Sequence, residues 1–165
     1  MEGTVRLTAL TEDEFQAYMA DGIARFAEGK LKAGSWSPGE ALEKSRGVHE
    51  KLLPEGMATE GHHFYSIQET QHGQKVGILW LAVRCETARS LGFVYDLFID
   101  TRFRRRGYAT QAMRALEGKA RELGVEAIAL HVFTHNPAAI GLYEKLGYEA
   151  KSMNMVKQLS SCGGG

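Results

Sequence analysis

From its first residues the chain alternates. Thr4-Val5-Arg6-Leu7 places an apolar side chain at every second position, the pattern of a half-buried strand. The period then changes: Phe15, Tyr18, Met19, Ile23 and Phe26 recur at three- and four-residue intervals, so one face of a helix is apolar and packs on a core. Thr11-Glu12-Asp13-Glu14 stands just before it with capping-box spacing, the Thr hydroxyl and the Glu carboxylate satisfying free amides. Ser37-Pro38-Gly39-Glu40 repeats that logic with Pro at the first helical position and predicts a second helix ending near Leu53-Pro54. Phe64 to Ile67 and Lys75 to Val83 read as strands joined by the turn Gln71-His72-Gly73-Gln74. The second of these is almost continuously apolar (Val76, Ile78, Leu79, Trp80, Leu81, Val83), which predicts a central strand.

In the second half, Phe93-Val94-Tyr95-Asp96-Leu97-Phe98-Ile99 is rich in β-branched and aromatic residues and reads as a strand. Met113, Leu116, Ala120 and Leu123 define a helix over 110–123. A strand over 127–133, a helix over 137–146 and a last strand around 148–157 complete the order β-α-α-β-β-β-α-β-α-β. That order predicts a mixed α/β fold with one sheet flanked by helices. No internal repeat or linker interrupts it, so residues 1–159 are expected to form one domain, with 160–165 a disordered tail.

Composition narrows the class. A chain of 165 residues, 44% hydrophobic and 24% charged, suits one globular domain with a substantial core. Formal net charge is zero, so no global field attracts nucleic acid or a membrane, and neither is an expected partner. Cys85 and Cys162 do not make a disulfide framework. No apolar stretch approaches transmembrane length and the N-terminus lacks a signal-peptide pattern, so a cytoplasmic location is expected.

The chemistry concentrates between the 93–99 strand and the helix that follows. Arg104-Arg105-Arg106-Gly107-Tyr108-Ala109 is a basic loop with one glycine that opens a helix. The first amides of a helix lack internal partners and carry partial positive charge, which makes such a junction an anion site. Gly107 lets the backbone approach a phosphate, and Ala109 is nearly as small. The same arginines, with Arg102, also fit a solvated loop of no special chemistry. Asp96, a carboxylate inside an apolar strand, is either functional or held in a hydrogen-bonded pair.

Arg104, Gly107 and Ala109 fit the cofactor signature of the GCN5-related N-acetyltransferase (GNAT) family: Arg or Gln, any two residues, Gly, any residue, then Gly or Ala. The run from His131 to Tyr148, with Asn136, Pro137, Tyr143 and Leu146-Gly147-Tyr148, resembles the same family's later strand, helix-opening Asn and following Tyr. The two elements together cover about residues 92 to 157, and the whole chain is similar to a subgroup of small bacterial GNAT proteins. Thr101 and Arg105 depart from the commoner Pro and Gly, and Ala109 from the commoner last Gly.

The resemblance implies the GNAT fold, a twisted mixed sheet flanked by helices, and acetyl-CoA as co-substrate. It also implies roles. Backbone amides from Arg105 through Tyr108, Ala109 and Thr110 would hold the pyrophosphate, with Arg104, Arg105 and Arg106 adding charge. The main chain of Leu97, Phe98 and Ile99 would pair with the pantetheine arm in a slot where strands 93–99 and 127–133 splay apart. Asn136 would cap its helix and contact the cofactor. Tyr143 would bind beside the thioester and donate a proton to the departing thiolate. For the base, His131 on the slot strand and Asp96 both remain open, as does a water chain; histidine's ordinary pKa of about 6.5 suits the task. Trp36, His62 and Tyr65 are expected near the acceptor pocket by fold position.

Direct acetyl transfer to an amine, in a ternary complex, is therefore the expected activity. The acceptor, a protein N-terminus, a lysine or a small amine, is open, and a homodimer is compatible with the family. A non-catalytic acyl-CoA sensor is the alternative from another class. No metal is expected, since His62, His63 and His135 lack ligand spacing.

Overall fold

The computed structural model describes residues 5–86 and 88–160. Thr4, at the start of the first expected strand, and positions 161–165, including Cys162, lie outside the described residues.

Strand β1 (Val5–Ala9) leads into helix α1 (Glu12–Lys32), and the capping box forms: Thr11 Oγ1 accepts from the Glu14 amide at 3.2 Å while Glu14 Oε2 accepts from the Thr11 amide at 2.9 Å. The Thr11 amide holds the Glu14 carboxyl below its ordinary pKa, the first of several causes that include Lys75. Helix α2 (Ala41–Leu52) begins later than its signal suggests. Pro38 sits in a turn, and the Ser37 carbonyl accepts from the Glu40 and Ala41 amides while Glu40 Oε1 reaches back to the Ser37 amide at 3.3 Å. Only the Glu half of the box is made there.

Strands β2 (His62–Glu69), β3 (Lys75–Glu86), β4 (Arg89–Ile99) and β5 (Ala127–Leu130) complete a five-stranded sheet in the order β1-β2-β3-β4-β5. All neighbours are antiparallel except β4 and β5, which are parallel and joined through helix α3 (Tyr108–Glu122). β3 is the middle strand, with Val76, Ile78, Leu79, Trp80 and Leu81 buried, as its unbroken apolar run predicts. One face of the sheet packs Val76, Leu79, Leu81, Val94 and Ile99 on Met113 and Leu116 of α3. The other packs Phe64, Ile78 and Trp80 on Phe15 and Tyr18 of α1. Helix α4 (Pro137–Lys145) follows β5.

Two expected strand stretches do not form. β5 ends at Leu130 rather than residue 133, which leaves His131 exposed beyond the strand rather than on it. Residues 148–160 contain no strand, and 149–160 are exposed throughout. The reason is the same in both places: a strand is stabilised by hydrogen-bonded neighbours, and neither stretch has one. β5 closes the sheet on its outer side, and on its inner side β4 leaves it after Val94 and Leu130, the last pair in register.

Candidate active site

The parting of β4 from β5 follows from a bulge. Trp80 pairs with Asp96 and Leu81 with Val94, so Tyr95 is an extra residue in β4. A bulge bends its strand, and here the bend comes one residue after the last β4–β5 pair. From Tyr95 to Ile99, β4 has β3 on one side and, among the described residues, no strand on the other. An open slot results, with backbone polar groups on its wall. Side chains here alternate: Leu97 and Ile99 join the core on the α3 face, and Phe98 turns toward α1.

At the far end of that wall lies the basic loop. Arg105 has φ of 60°, a left-handed conformation uncommon for a residue with a Cβ, and Gly107 follows at φ 80° as the residue preceding α3. Gly107 offers no side chain to cap the helix, and no acidic residue occupies the first turn. The space in front of Gly107 is open, since a Cβ built there meets nothing nearer than Gln111 Nε2 at 3.8 Å. The amides of Tyr108, Ala109 and Thr110, in the half-buried first turn, lie beside exposed Arg105 and Arg106. Arg104 behaves differently: its Nε donates to the Ile99 carbonyl at 3.0 Å and its guanidinium lies over the Phe98 ring. It ties the loop to the end of β4.

Asp96 is held from α1. Tyr18 Oη donates to Asp96 Oδ2 at 2.7 Å, and Arg25 Nη2 lies 3.1 Å from the same oxygen in an ion pair without hydrogen-bond alignment. The Arg25 guanidinium also stacks 4.0 Å from the Phe98 ring centroid. Burial, with the Asp96 charge, pushes the Tyr18 phenol well above its ordinary pKa. A cavity of about 400 Å³ opens along α1 beside this group, lined in part by Asp21, Lys75, Ile78 and Phe98. Sequence reading saw Tyr18 only as core and missed Arg25. The signal was available: Tyr18, Gly22, Arg25 and Gly29 form one helical stripe, on which Gly22 leaves room for the Tyr18 and Arg25 side chains and Gly29 lets α1 come close to Phe133.

Four residues after Arg25, that stripe reaches the other side of the slot. A Cβ on Gly29 would stand 2.9 Å from the Phe133 ring, so α1 runs from Asp96 and Phe98 of β4 to the segment beyond β5. His131 packs edge-on against Phe133 with ring centroids 5.1 Å apart, and His135 stacks on it at 5.0 Å. Asn136 caps α4, Oδ1 accepting from the Ala139 amide at 3.2 Å, with Pro137 next in the first turn.

Tyr143 is oriented by the end of α4. Gly147, at φ 92°, lets the Tyr148 amide donate to the Tyr143 carbonyl and the Gly147 amide to Glu144, both at 3.0 Å. This is a Schellman motif, and its customary apolar contact is the Tyr143–Tyr148 ring pair at 5.7 Å. Burial first, then the Asp96 charge, raises the Tyr143 pKa to about 12. The phenol and the Asp96 carboxylate are thus near enough to feel each other although they come from α4 and β4.

The expected acceptor residues are not gathered in one place. His62 Nδ1 accepts from Trp80 Nε1 at 3.0 Å and its ring stacks on Tyr95, on the α1 face. Trp36 meets Phe26 of α1. Tyr65 packs toward the α3-side core instead. Among the described residues, no group of three or more His, Cys, Asp or Glu side chains is placed to hold a metal ion.

Comparison with known proteins places this geometry. Residues 32–148 match the sequence model described as the Acetyltransferase (GNAT) family. The chain is similar to YdgE of Bacillus subtilis, an uncharacterised N-acetyltransferase, with 38% identity over 93% of this chain and 97% of that protein. It is similar also to YycN of the same organism, whose crystal structure superposes with a TM-score of 0.90 at 37% identity over 94% of this chain and 99% of that one. A solved structure from Pyrococcus furiosus, 23% identical over 96% of this chain and all of that one, shares the fold with a TM-score of 0.67. With the slot between β4 and β5 and these relatives together, the chain belongs to the GNAT family of acetyltransferases.

Proposed function

We propose that the protein transfers an acetyl group from acetyl-CoA directly to an amine, with both substrates bound at once. The observation that carries this reading is the wall of β4 from Tyr95 to Ile99, which has no strand on its β5 side among the described residues and leads, past the Ile99 carbonyl held by Arg104, to the start of α3 at Gly107, where no side chain caps the helix. An extended amide arm fits the first part by strand-like pairing, and a pyrophosphate fits the second through the amides of Tyr108 to Thr110. Leu97, Phe98 and Ile99 would supply the main-chain partners. Arg105 and Arg106 would face phosphate, while Arg104 keeps the loop in place.

Acetyl-CoA would supply the thioester carbonyl that an amine attacks. Tyr143 would then give its phenolic proton to the sulfur of the departing coenzyme; a phenol carries that proton at neutral pH even at its ordinary pKa, and burial raises the value further. Asn136, which caps α4, would also contact the cofactor. The amine must lose a proton as it attacks. His131, exposed and in no hydrogen bond among the described residues, would take it through solvent, whereas Asp96 already has Oδ2 engaged by Tyr18 and Arg25. The acceptor is a protein N-terminus, a lysine or a small amine reached from the α1 side.

Thermal unfolding with acetyl-CoA, coenzyme A and ATP in parallel tests the reading. A ligand at about 100 times its Kd stabilises by roughly 2.7 kcal/mol. Both coenzymes should raise the midpoint and ATP should not, and Gly107→Asp, which sets a carboxylate beside phosphate, should remove the response. An unchanged midpoint with either coenzyme, or an undiminished response in Gly107→Asp, would reject the site.

A further inference from the structure

Three rings gather around one ammonium where α1 crosses the slot. Lys30 Nζ lies 5.6 Å from the ring centroid of Phe26, 5.6 Å from that of Trp36 and 5.9 Å from that of Phe133, each within reach of a cation–π contact. Phe26 belongs to α1, Trp36 to the connection between α1 and α2, and Phe133 to the segment beyond β5. Among the described residues Lys30 has no carboxylate partner, whereas Lys32 on the next turn pairs with Glu28 at 3.0 Å. The half-buried Lys30 amine is therefore placed by aromatic faces, and no ion pair has to break for it to react.

The helix itself says where this amine stands in the slot. Arg25 meets Asp96 and Phe98 on the β4 wall, and Gly29, four residues on, meets Phe133 beyond β5. At a helical rise of about 1.5 Å per residue the crossing takes roughly 6 Å. Lys30 follows directly, at the mouth where acetyl-CoA, bound as proposed above, presents its thioester between those walls. His131 packs edge-on against the Phe133 ring with centroids 5.1 Å apart, and His135 stacks on it at 5.0 Å. One ring thus carries the lysine ammonium and two imidazoles, so an amine and a candidate base come together beside the slot.

We propose that Lys30 is a self-acetylation site, its Nζ taking the acetyl group from the acetyl-CoA bound in its own chain. This rests on the acetyl-CoA reading of the slot. His131 takes one proton from the ammonium, and the free amine attacks the thioester carbonyl. The new N–C bond forms, the C–S bond breaks, and the leaving sulfur takes the Tyr143 proton. The nitrogen's second proton returns to the Tyr143 oxygen through solvent, and His131 releases its own to solvent. The products are acetyl-lysine, coenzyme A and one proton. Acetylation removes the charge that holds the side chain among the three rings, so it loosens the contact between α1 and the segment that carries His131.

Intact-mass and peptide-mass measurement of the full chain, incubated with isotopically labelled acetyl-CoA, tests it. The chain should gain one acetyl group, at Lys30, at a rate that does not change with protein concentration. Lys30→Arg should gain none, although its thermal midpoint should still rise with acetyl-CoA. His131→Ala should be labelled at least about tenfold more slowly, and Gly107→Asp, whose coenzyme site is blocked, should stay unlabelled. No label in a chain whose midpoint rises with acetyl-CoA would overturn this proposal alone, whereas no rise would reject the coenzyme site and the proposal with it. Label spread over the exposed lysines, undiminished labelling in His131→Ala or Gly107→Asp, or a rate that grows with protein concentration would also overturn it.

Discussion

Tyr143 shows how little of a side chain's chemistry resides in its identity. The same phenol on an exposed helix would titrate near 10; here burial and the Asp96 carboxylate hold it to about 12. Tyr143→Phe keeps the ring that packs on Tyr148 and loses the proton, so turnover should fall about 10²-fold or more while acetyl-CoA affinity stays nearly constant. Steady-state kinetics beside a binding isotherm separate the two, and wild-type turnover would reject the acid role. The base is tested by pH. The acidic limb of kcat/KM should move or disappear in His131→Ala and persist in Asp96→Asn; the reverse pattern would make Asp96 the base. Asp96 was legible as a residue needing a partner, because a carboxylate in an apolar strand is costly alone. Its partners Tyr18 and Arg25 were not, since they lie 78 and 71 positions earlier in the chain and only folding brings them near.

At the scale of elements, local signals hold where they complete themselves within a few residues. The Thr11 capping box forms as written. The β2–β3 connection forms too, closed by the Glu69 amide donating to the Gln74 carbonyl, with its turn at residues 70–72 rather than 71–74, while the Ser37 signal forms only in its Glu half. The Schellman motif after α4 is another such closure, and it aims Tyr143. Gly147→Ala would force a Cβ into φ 92°, so it should destabilise the fold by about 1–2 kcal/mol. Denaturant titration reads that cost directly, and an unchanged midpoint would show that α4 finds another ending. Strands behave otherwise. The apolar patterns over 131–133 and 148–157 are real, yet a pattern makes a strand only when a neighbour takes its hydrogen bonds. The slot itself arises this way, from one extra residue in β4 that no composition signal announces.

For the whole molecule, pH dependence exposes how the two faces are sealed. Burial lowers the pKa of His62, helped by Arg84 and His63, and burial lowers that of His63. A depressed folded pKa means the unfolded chain binds the proton more readily, so stability is complete above the ordinary value of about 6.5 and declines as pH falls below it. The thermal midpoint should drop as pH falls below about 6.5, before the carboxylates Glu14 and Glu69, whose pKa values are also lowered, begin to protonate. His63→Gln should flatten that slope, and an identical slope would place its cause elsewhere.

The sequence by itself determined what short range can carry: the helix faces and caps, the buried central strand, and a glycine-opened helix behind a basic loop, because periodicity and turn chemistry act within one element. Tertiary structure decided what depends on the distance between elements. It fixed where β4 leaves β5, which partners hold Asp96, how far burial shifts Tyr143, and which strand-like segments find a sheet, since hydrogen-bonded pairing and desolvation exist only once remote residues meet.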